Sequence, residues 1–541
     1  MNIAISENPF HAGELEAQKR VGAGNLAAQV ASFIRPYMPQ QHRQFYTSLP
    51  FLVVSGSDQS GYPWITILEG EDGFITSPNK KALNINSSLD PQDPLKEAFG
   101  HGTDIGLLGI ELSTRRRNRL SGHIKQTGNG YSIDIRQTFG NCPQYIWERE
   151  FYRLPDVAPG KAHRSASLNE LQMQHIQAAD TMFIGTGQHD ASNTPSNGYD
   201  ASHRGGQPGF VEIVDNTHLR IPDYAGNNFF NTIGNILKNP KVGLLFVDFE
   251  TGGLLHVSGR AEIEWEPKDA KDKGAFRIIN VTIGAVVDRP SAISLRWESA
   301  DRSKRNLVIA KKVVEAKDIT SFYLRPADGK PLTEFSAGQY LPIELDLPQP
   351  YGKVRRSYSL SAPPHSNCYR ISVKREAQGL VSRLMHDKLQ PGHLIAAHAP
   401  SGDFVIPCED CPVVLVSAGA GLTPMMAMLH ELAQEETKRP VWFIHGARNS
   451  TTRAFGDEVA ALVEAHSNIN SQIFYSKPEP QDRMGIDYDC SGRVTAKALH
   501  DLKAGSDAHY MLCGPAAFVS NTQMELEASG VSPGQIHFET F

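Results

Sequence analysis

The sequence predicts a multidomain protein of all-β and α/β parts: two similar small β-barrels, a third antiparallel barrel, and a parallel α/β domain. Three observations predict this. The chain has 541 residues, far more than the roughly 100 to 200 residues of one domain. Its front half repeats one pattern of short alternating strands. Residues 412 to 541 alternate apolar strands with helical segments, which is typical of a parallel sheet with crossover helices.

The front half contains two copies of one strand order. Residues 50 to 124 give "FLVVSG", "WITILEG", "GFITS", a helical stretch, "DIGLLGIEL" and "RLSGHIK". Residues 180 to 263 give "DTMFIGTG", "FVEIVD", "HLRIPDY", a helical "NTIGNILKNP", "VGLLFVDFETG" and "LLHVSGRAEI". Because a GLL strand precedes a strand with SG in both copies, we interpret the half as a duplication. The polar stretch at 296 to 306 is the candidate linker to the strands of residues 307 to 405.

Composition narrows the class of function. With 53 Lys plus Arg against 59 Asp plus Glu, the net charge is −6, which favours neither nucleic acid nor an anionic membrane as partner. No apolar run reaches the roughly 18 residues of a membrane helix, and the N-terminus lacks the pattern of a signal peptide. Six Cys residues are too sparse for a disulfide framework. We therefore expect a cytoplasmic protein that acts on small molecules.

The first chemical motif is "RRSYSLS" at 355 to 361, followed by "GLVS" at the start of a helix. Arg offers a fork of donors suited to phosphate, Tyr a flat face for stacking, and Ser a hydroxyl for a ring nitrogen. The helix start could present backbone N–H groups to a diphosphate. An exposed strand with an Arg and a Tyr is the alternative for this motif alone.

Two further motifs follow in the α/β part. "VVLVSAGAGLTPMMAML" places Gly419, Gly421 and Pro424 between a buried strand and a helix, where a dinucleotide's pyrophosphate could approach. "YMLCGPAAFV" ends a strand in Cys513, Gly514 and Pro515, at the sheet edge where open α/β folds bind ligands.

In this order the motifs resemble the ferredoxin–NADP reductase superfamily, and most closely the reductase part of flavohaemoglobins. The likeness covers about residues 305 to 541 and includes "SAGQYLPI", "RSYS", "VKRE", "APSGDF", "HGARN" and the terminal "HFETF". It implies FAD on the barrel, with Arg356 at its phosphate, Tyr358 on the isoalloxazine and Ser359 near N5. Further FAD contacts are implied at Val373 and Lys374 and, for the diphosphate, at Gly379, Leu380, Val381 and Ser382.

The same resemblance implies NADH or NADPH at Gly419, Gly421, Leu422, Thr423, Pro424, Cys513, Gly514 and Pro515. It gives catalytic roles to Ser359, Cys513, Glu539 and Phe541, with the last two beside the flavin. NADH against NADPH stays open, because Arg448 and Lys477 could meet a 2′-phosphate or be solvated. Many relatives carry a four-Cys [2Fe–2S] domain after the HFE-type motif, and this sequence gives none after Phe541. We therefore expect the electron acceptor in the front half or in an external molecule.

The front half, about residues 10 to 265, is similar to pyridoxamine 5′-phosphate oxidase-related split-barrel proteins. The similarity rests on "FHAGELEAQKRVG", "TRRRNRLSG", "NCPQYI", "DASHRGGQPGFV" and the segment 221 to 249. Members commonly bind FMN between the two barrels of a dimer, so the repeat implies a pseudo-dimer. Donors suited to an FMN phosphate are Ser202, His203, Arg204, Asn227, Asn231 and Thr232, although the family has Lys or Arg where this chain has Asn231 and Thr232.

Two alternatives concern the basic and histidine residues of this half. The run Arg115 to Arg117 could reach the site from the first copy, or form a solvated basic strand edge. Some split-barrel relatives bind haem, for which His101, His203 or His256 would be the ligand.

These observations predict tandem split β-barrels at 1–165 and 166–296, an antiparallel FAD-binding β-barrel at 305–406 and a Rossmann-like NAD(P)-binding domain at 407–541. The predicted function is an NAD(P)H-dependent flavoprotein oxidoreductase that passes electrons from FAD to an acceptor in the front half, with FMN the first choice. One alternative is a haem-binding or haem-reducing enzyme. The other is an FAD reductase whose front half is a docking or oligomerisation domain for an external acceptor. We expect a small-molecule acceptor or substrate, no nucleic acid, no membrane, no metal, and leave homodimerisation open.

Overall fold

The computed structural model describes residues 8–24, 33–128, 130–141, 144–189, 195–269, 274–299, 304–347, 352–376, 379–407, 410–435 and 439–540. The chain divides into two compact units, Met1–Asp301 and Arg302–Phe541.

The first repeat of the N-terminal unit is a seven-stranded antiparallel sheet with the strand order β2-β1-β5-β6-β7-β4-β3. Its strands are β1 Phe51–Ser57, β2 Pro63–Glu69, β3 Ile75–Asn79, β4 Ala82–Ile85, β5 Thr103–Glu111, β6 Arg116–Thr127 and β7 Gly130–Asn141. Helices α1 Ala12–Arg20, α2 Gln40–Ser48 and α3 Lys96–His101 precede or connect them.

The second repeat has the same order, β11-β10-β14-β15-β16-β13-β12. Its strands are β10 Thr181–Gln188, β11 Gly198–Gly205, β12 Glu212–Asp215, β13 His218–Asp223, β14 Lys241–Val247, β15 Leu254–Glu264 and β16 Arg277–Arg289, with helices α4 Glu170–Ala178 and α5 Asn231–Lys238. Strand β9 (His163–Ser165) adds to β16, and β8 (Arg149–Arg153) pairs with β17 (Leu295–Ser299). The identical order confirms the tandem split barrels.

The SG pair that marks both copies in the sequence is a β-bulge in both sheets. Pairing between β6 and β7 shifts between Ser121 and Gly122, and pairing between β15 and β16 shifts between Ser258 and Gly259. A Cβ atom on Gly122 would lie 2.4 Å from a carbonyl oxygen of the partner strand, and one on Gly259 would lie 2.1 Å from another. A bulge brings the partner backbone this close, so both positions require glycine.

The two repeats contact each other through equivalent strands. In the first repeat, a Cβ on Gly106 of β5 would lie 2.5 Å from the Asp200 backbone of β11. In the second repeat, a Cβ on Gly243 of β14 would lie 2.7 Å from the Pro63 carbonyl of β2. These contacts are reciprocal, because strand order makes β5 equivalent to β14 and β2 to β11. The repeats are therefore related by a pseudo-twofold axis.

Apolar side chains from both repeats form one buried cluster at this contact, including Phe51, Val53, Ile65, Phe183 and Leu245. Each repeat also has its own core. A continuous apolar interface of this kind holds the two barrels together by the same burial of apolar surface that stabilises each of them.

The C-terminal unit begins with a six-stranded antiparallel barrel of order β21-β20-β23-β18-β19-β22. Its strands are β18 Arg305–Ala316, β19 Ile319–Pro326, β20 Tyr340–Leu347, β21 Gly352–Ser359, β22 Tyr369–Lys374 and β23 Leu394–Ala397, with helix α6 Leu380–Lys388 after β22.

A parallel sheet of order β27-β26-β25-β24-β28-β29 completes this unit. Its strands are β24 Val413–Ala418, β25 Val441–Ala447, β26 Ile469–Tyr475, β27 Cys490–Ser491, β28 His509–Gly514 and β29 Ile536–Thr540. Helices α7 Leu422–Gln434, α8 Gly456–Ala465, α9 Ala496–Asp501 and α10 Ala516–Ala528 connect the strands. Successive strands run outward from β24 in one direction and from β28 in the other, so the topological switch point lies between these two strands.

Two chain-wide features bear on the sequence analysis. Within the described ranges, none of the helices is both long and apolar enough to cross a membrane. Cys368, Cys490 and Cys513 are free, whereas Cys411 is disulfide-bonded. Sparse cysteines therefore did not exclude a disulfide.

We expect Gly259→Ala to destabilise the N-terminal unit by about 1 to 3 kcal/mol, because the added methyl group would displace a strand backbone. Gly284→Ala is the matched control in the same bulge, since its Cβ would meet nothing closer than 3.6 Å. Urea denaturation of the two variants measures the difference. Equal stability of both variants would contradict the expected clash between a side chain at position 259 and the neighbouring strand backbone.

Candidate functional site

The barrel of the C-terminal unit places the first motif on strand β21. Arg356 pairs with Ile343 of β20 in the register, and Tyr358 packs partly buried against the core. Burial raises the pKa of the Tyr358 hydroxyl to about 12, so the ring is neutral. Leu360, just past Ser359, forms a bridge with Ile371 of β22. The end of the motif therefore lies beside the strand that carries Val373 and Lys374.

Helix α6 begins directly after that strand. Gly379 is its N-cap, and Leu380 and Val381 form its first turn. The hydroxyl of Ser382 accepts a hydrogen bond from the Glu376 N–H at 3.2 Å. The order of strand, loop and helix start is the one that a diphosphate site at a helix N-terminus needs.

The glycine turn lies at the switch point of the parallel sheet. Strand β24 is followed by a 3₁₀ turn at Gly419–Gly421 and then by helix α7, whose first residues are Leu422, Thr423 and Pro424. A Cβ on Gly421 would lie 2.1 Å from the Cys513 carbonyl oxygen at the end of β28. Only glycine permits this contact, which joins the two motifs that the sequence predicted separately.

The carboxyl end of β28 also adjoins the last strand. Cys513 pairs with Glu539 in the register of β28 and β29, and Gly514 and Pro515 lead from β28 into helix α10. Burial, with the nearby Glu539 charge, raises the pKa of the Cys513 thiol well above its usual range. The thiol is therefore neutral. Phe541 lies outside the described residues.

Arg448 and Lys477 line one cleft of about 450 Å³ in the C-terminal unit. They follow the neighbouring strands β25 and β26, and the Lys477 N–H donates to the Arg448 carbonyl at 2.8 Å. Lys317 and Arg375 add two cations to the lining, whereas Asp318 lies 3.5 Å from the Arg448 guanidinium. Two candidates for a 2′-phosphate contact are thus side by side.

The N-terminal unit contains a cavity of about 100 Å³. Both repeats line it. Its residues are Arg117, Arg119, Asn141, Gln144 and Tyr145 from the first repeat, and His203, Arg204, Gly205, Asp223 to Asn228, Phe230 to Ile233 and Arg277 from the second.

Five of the six residues predicted for an FMN phosphate line this cavity, namely His203, Arg204, Asn227, Asn231 and Thr232. Ser202 does not. Its side chain is buried behind Thr232, whose hydroxyl donates to the Ser202 hydroxyl at 3.0 Å.

Of the predicted run Arg115 to Arg117, only Arg117 lines the cavity. Arg115 forms a buried ion pair with Glu148 at 3.3 Å, and Arg116 lies over the Phe45 ring. A solvated basic strand edge is also wrong, since Arg115 and Arg117 are 5 % and 8 % exposed. Alternation puts Arg116 and Arg117 on opposite faces of β6, whereas Arg115 lies in the turn before the strand, with a φ of 61°.

Sequence reasoning missed several residues of the cavity. Arg119 stands two positions after Arg117 on β6, hence on the same face, and this spacing was the available signal. Tyr145 and Tyr224 stack with ring centroids 5.1 Å apart. Arg277 comes from the distant strand β16, and no local pattern pointed to it.

Three buried donors that line the cavity have no hydrogen-bond partner among the described residues: Nε2 of His203, Nε of Arg119 and Nε of Arg204. Other nitrogen atoms of the two arginine guanidinium groups do have partners. Arg119 donates to Asp200 at 3.2 Å and to Asn231 at 3.0 Å. A buried donor without an acceptor is costly, by about 1 to 3 kcal/mol each. Three at one cavity suit a ligand that brings acceptor oxygens.

Charge at the cavity is predominantly positive. Asp223 lies 3.4 Å from Arg204 and 2.8 Å from Arg277, so one carboxylate faces two guanidinium groups. A second carboxyl group, Glu14 of α1, accepts a hydrogen bond from Asn231 at 2.5 Å. Burial raises the pKa of Glu14 to about 8. It is mostly neutral at pH 7 and does not offset the arginines.

The ring of His203 has a defined tautomer. The Arg117 guanidinium lies 3.2 Å from Nδ1, and a guanidinium only donates. Burial, with the arginines nearby, lowers the pKa of His203 well below its usual range. The ring is therefore neutral with its proton on Nε2. That nitrogen has no lone pair for iron, which argues against His203 as a haem ligand.

The other two histidines considered for haem lie elsewhere. His256 is fully buried, donates from Nδ1 to the Ile65 carbonyl at 2.9 Å and does not line the cavity. His101 is exposed at the end of α3 with Nδ1 2.9 Å from the Glu97 carbonyl. Neither belongs to this site.

Comparison with known proteins finds family matches in the second repeat and in the C-terminal unit. Residues 171–319 match the family "Pyridoxamine 5′-phosphate oxidase". Residues 306–406 match "Oxidoreductase FAD-binding domain" and residues 415–524 match "Oxidoreductase NAD-binding domain". The two halves resemble two different oxidoreductase families. FAD- and NAD-binding domains are thus present in the C-terminal half, and they are the domains of an NAD(P)H-dependent flavoprotein oxidoreductase.

Flavohemoproteins are among the most similar curated proteins. That of Deinococcus radiodurans is 40 % identical over 240 residues, which cover 44 % of this chain and 60 % of that protein. That of Bacillus subtilis is 41 % identical over 235 residues, covering 43 % and 58 %. The chain thus spans about three fifths of these relatives. A solved structure of the FAD/NAD-binding domain of a Vibrio cholerae nitric oxide dioxygenase shares 34 % identity and covers 44 % of this chain and 98 % of that one, with a TM-score of 0.40.

We expect Arg448→Gln to raise KM for NADPH about fivefold and to leave KM for NADH nearly unchanged, because only NADPH carries a 2′-phosphate for the guanidinium. The effect is modest because the side chain is 66 % exposed. Steady-state kinetics with both nucleotides measure it. Arg483→Gln, an exposed arginine outside the cleft, is the control. An equal change for the two nucleotides would reject the contact.

Proposed function

We propose that this chain is an NAD(P)H-dependent oxidoreductase in which electrons pass from FAD in the C-terminal half to FMN in the cavity of the N-terminal half. The observation that carries the proposal is the set of three unpartnered buried donors lining that cavity, on His203, Arg119 and Arg204. A phosphate with three acceptor oxygens is the ligand group that such donors fit best.

In the C-terminal half, Arg356 would hold the FAD phosphate and the start of α6 its diphosphate. Tyr358 would pack on the ring system, and Ser359 would hydrogen-bond to it. The turn at Gly419 and Gly421 would take the nicotinamide dinucleotide at the switch point, where Cys513 and Glu539 lie next to each other. When bound, FAD accepts a hydride from the nicotinamide and passes on its two electrons.

In the N-terminal half, Arg117, Arg119 and Arg204 would hold the FMN phosphate, and His203 would donate from Nε2. Tyr145 and Tyr224 supply apolar ring faces in the same cavity, which suits a flat ligand. The final acceptor would be a small molecule that reaches this cavity. Similarity to the pyridoxamine 5′-phosphate oxidase family supports a flavin there but does not name the acceptor.

Haem is the less favoured ligand of this cavity. Its only lining histidine among the described residues is His203, and the Nε2 proton leaves it without a free lone pair. Four arginines in the lining suit a phosphate better than a porphyrin's iron. The docking-domain alternative leaves the three unpartnered donors without a ligand.

We expect Arg117→Met to weaken FMN binding about 10- to 100-fold, because a charge-assisted contact contributes roughly 1.5 to 3 kcal/mol. Arg116→Met is the matched control, since this neighbour points to the opposite face of β6. FMN and FAD are quantified by chromatography after release from the purified proteins. FAD content should stay unchanged in both variants. Full FMN content in Arg117→Met would reject the phosphate assignment.

Rapid mixing of the full-length protein with NADPH or NADH under anaerobic conditions tests the relay. FAD should be reduced first and a second flavin afterwards, at a rate independent of protein concentration, because a fused donor and acceptor react within one chain. Arg117→Met should keep the first phase and lose the second. A second phase that accelerates with protein concentration would instead indicate transfer between molecules.

A further inference from the structure

The pseudo-twofold axis raises the question of a second cavity. Strand pairing fixes which residues correspond. Ser55 of β1 and Gly185 of β10 occupy equivalent places in the two sheets. Ser55 pairs with Ile65 and Gly185 pairs with Ala201, so Ile65 corresponds to Ala201. Each later residue of β2 then corresponds in turn to a later residue of β11. The cavity residues on strands β6, β7 and β11 therefore have identifiable counterparts on the other side of the axis, called here the related position.

Along β2, the counterparts of the two basic cavity residues are apolar. In the register, His203 corresponds to Ile67 and Arg204 to Leu68. Both are core residues, at 5 % and 1 % exposure. The related position thus lacks the histidine and one arginine of the cavity.

Along β15, the counterparts of the arginines of β6 carry no positive charge either. Arg117 corresponds to Leu254 and Arg119 to His256. Leu254 belongs to the buried cluster between the repeats. Burial lowers the pKa of His256 to about 4, so that ring is neutral at physiological pH. Neither counterpart offers a positive charge to an anion.

One arginine does stand at the related position, and the chain neutralises it. Arg289 of β16 corresponds to Asn141 of β7. Its guanidinium donates to Asp93 at 2.5 Å, and the same carboxylate accepts from Thr66 at 2.5 Å. Thr66 is itself the counterpart of Ser202. Asp93 and Arg289 are both 4 % exposed, so this is a closed internal ion pair.

A second carboxylate stands where the cavity has a glycine. Gly205 corresponds to Glu69. The Glu69 carboxylate accepts from the Ser294 N–H at 2.6 Å, from the Ser294 hydroxyl at 3.0 Å and from the Leu295 N–H at 3.2 Å. Arg153 adds a contact at 3.4 Å. The donors at this position are therefore satisfied by the chain itself.

We propose that the N-terminal half binds one FMN per chain, in the cavity lined by Arg117 and His203, and that the related position binds none. This rests on the proposed function, because it takes FMN as the ligand of the cavity. The carboxylates of Asp93 and Glu69 occupy the related position as internal anions, and the counterparts of His203, Arg204 and Arg117 there are apolar. The duplication thus retains the pseudo-dimer but only one of its two binding sites.

Titration of FMN-depleted, FAD-containing full-length protein with FMN counts the sites. Isothermal calorimetry should give one FMN per chain, and the chromatographic ratio of FMN to FAD in the saturated protein should be one to one. Two FMN per chain would contradict this inference and leave the proposed function standing. No FMN binding at all would contradict the proposed function itself.

Two variants show which position binds. Arg117→Met should raise the FMN dissociation constant at least tenfold. The double variant Asp93→Leu with Arg289→Met should keep one site of unchanged affinity, since an apolar pair of similar volume can replace a buried ion pair. Loss of FMN binding in the double variant, with a circular dichroism spectrum like that of the parent, would overturn the assignment. Glu69→Gln, whose side chain is 21 % exposed, repeats the test without disturbing the buried pair.

Discussion

The close approach of the two repeats is the constraint on which the N-terminal half depends. Gly106 and Gly243 lie against the backbone of the opposite repeat, at distances that leave no room for a side chain. Gly185 likewise faces Ser55 across the axis, and the Ser55 hydroxyl donates to the Asp200 carbonyl at 2.9 Å. This contact sets β11 of the second repeat beside β6 of the first. The cavity exists only because both strands line it, so neither barrel alone could form the site.

The cavity and the related position stabilise buried positive charge in opposite ways. A buried guanidinium needs an anion close to it, because removing one charge from water without a partner costs several kcal/mol. At the related position the anion is Asp93, and the pair is sealed inside the protein. At the cavity, Arg119 has Asp200 but keeps an unpartnered Nε–H, as does Arg204 among the described residues. The related position therefore pairs its guanidinium within the chain, although Nε2 of His256 there is also buried without a partner among the described residues, whereas the cavity keeps two unpartnered arginine Nε–H groups.

The sequence predicted the repeats and the barrel and α/β order of the C-terminal half, since these rest on local patterns. Alternation gave the strands, and the shared SG pair marked the bulges. The sequence could not predict that Arg115 and Arg117 separate, with one paired to Glu148 and the other facing the cavity, because that depends on the turn before β6 and on tertiary contacts. The pairing of Asp93 with Arg289 joins residues 196 positions apart. No local pattern encodes such a contact, and only the register of paired strands reveals which residues correspond.

The asymmetry has a consequence for how the two halves would work together. A hydride delivers two electrons, and one flavin takes up two electrons when it is fully reduced. With one FAD module and one FMN site per chain, each turnover at the nicotinamide would match one full reduction at the cavity. A second FMN site would have to share the same FAD and would remain half-supplied after each hydride. A single FMN site would therefore fit a chain in which the duplicated barrel serves one reductase module, because the pseudo-dimer would keep the interface that forms the cavity while one acceptor takes both electrons of each hydride.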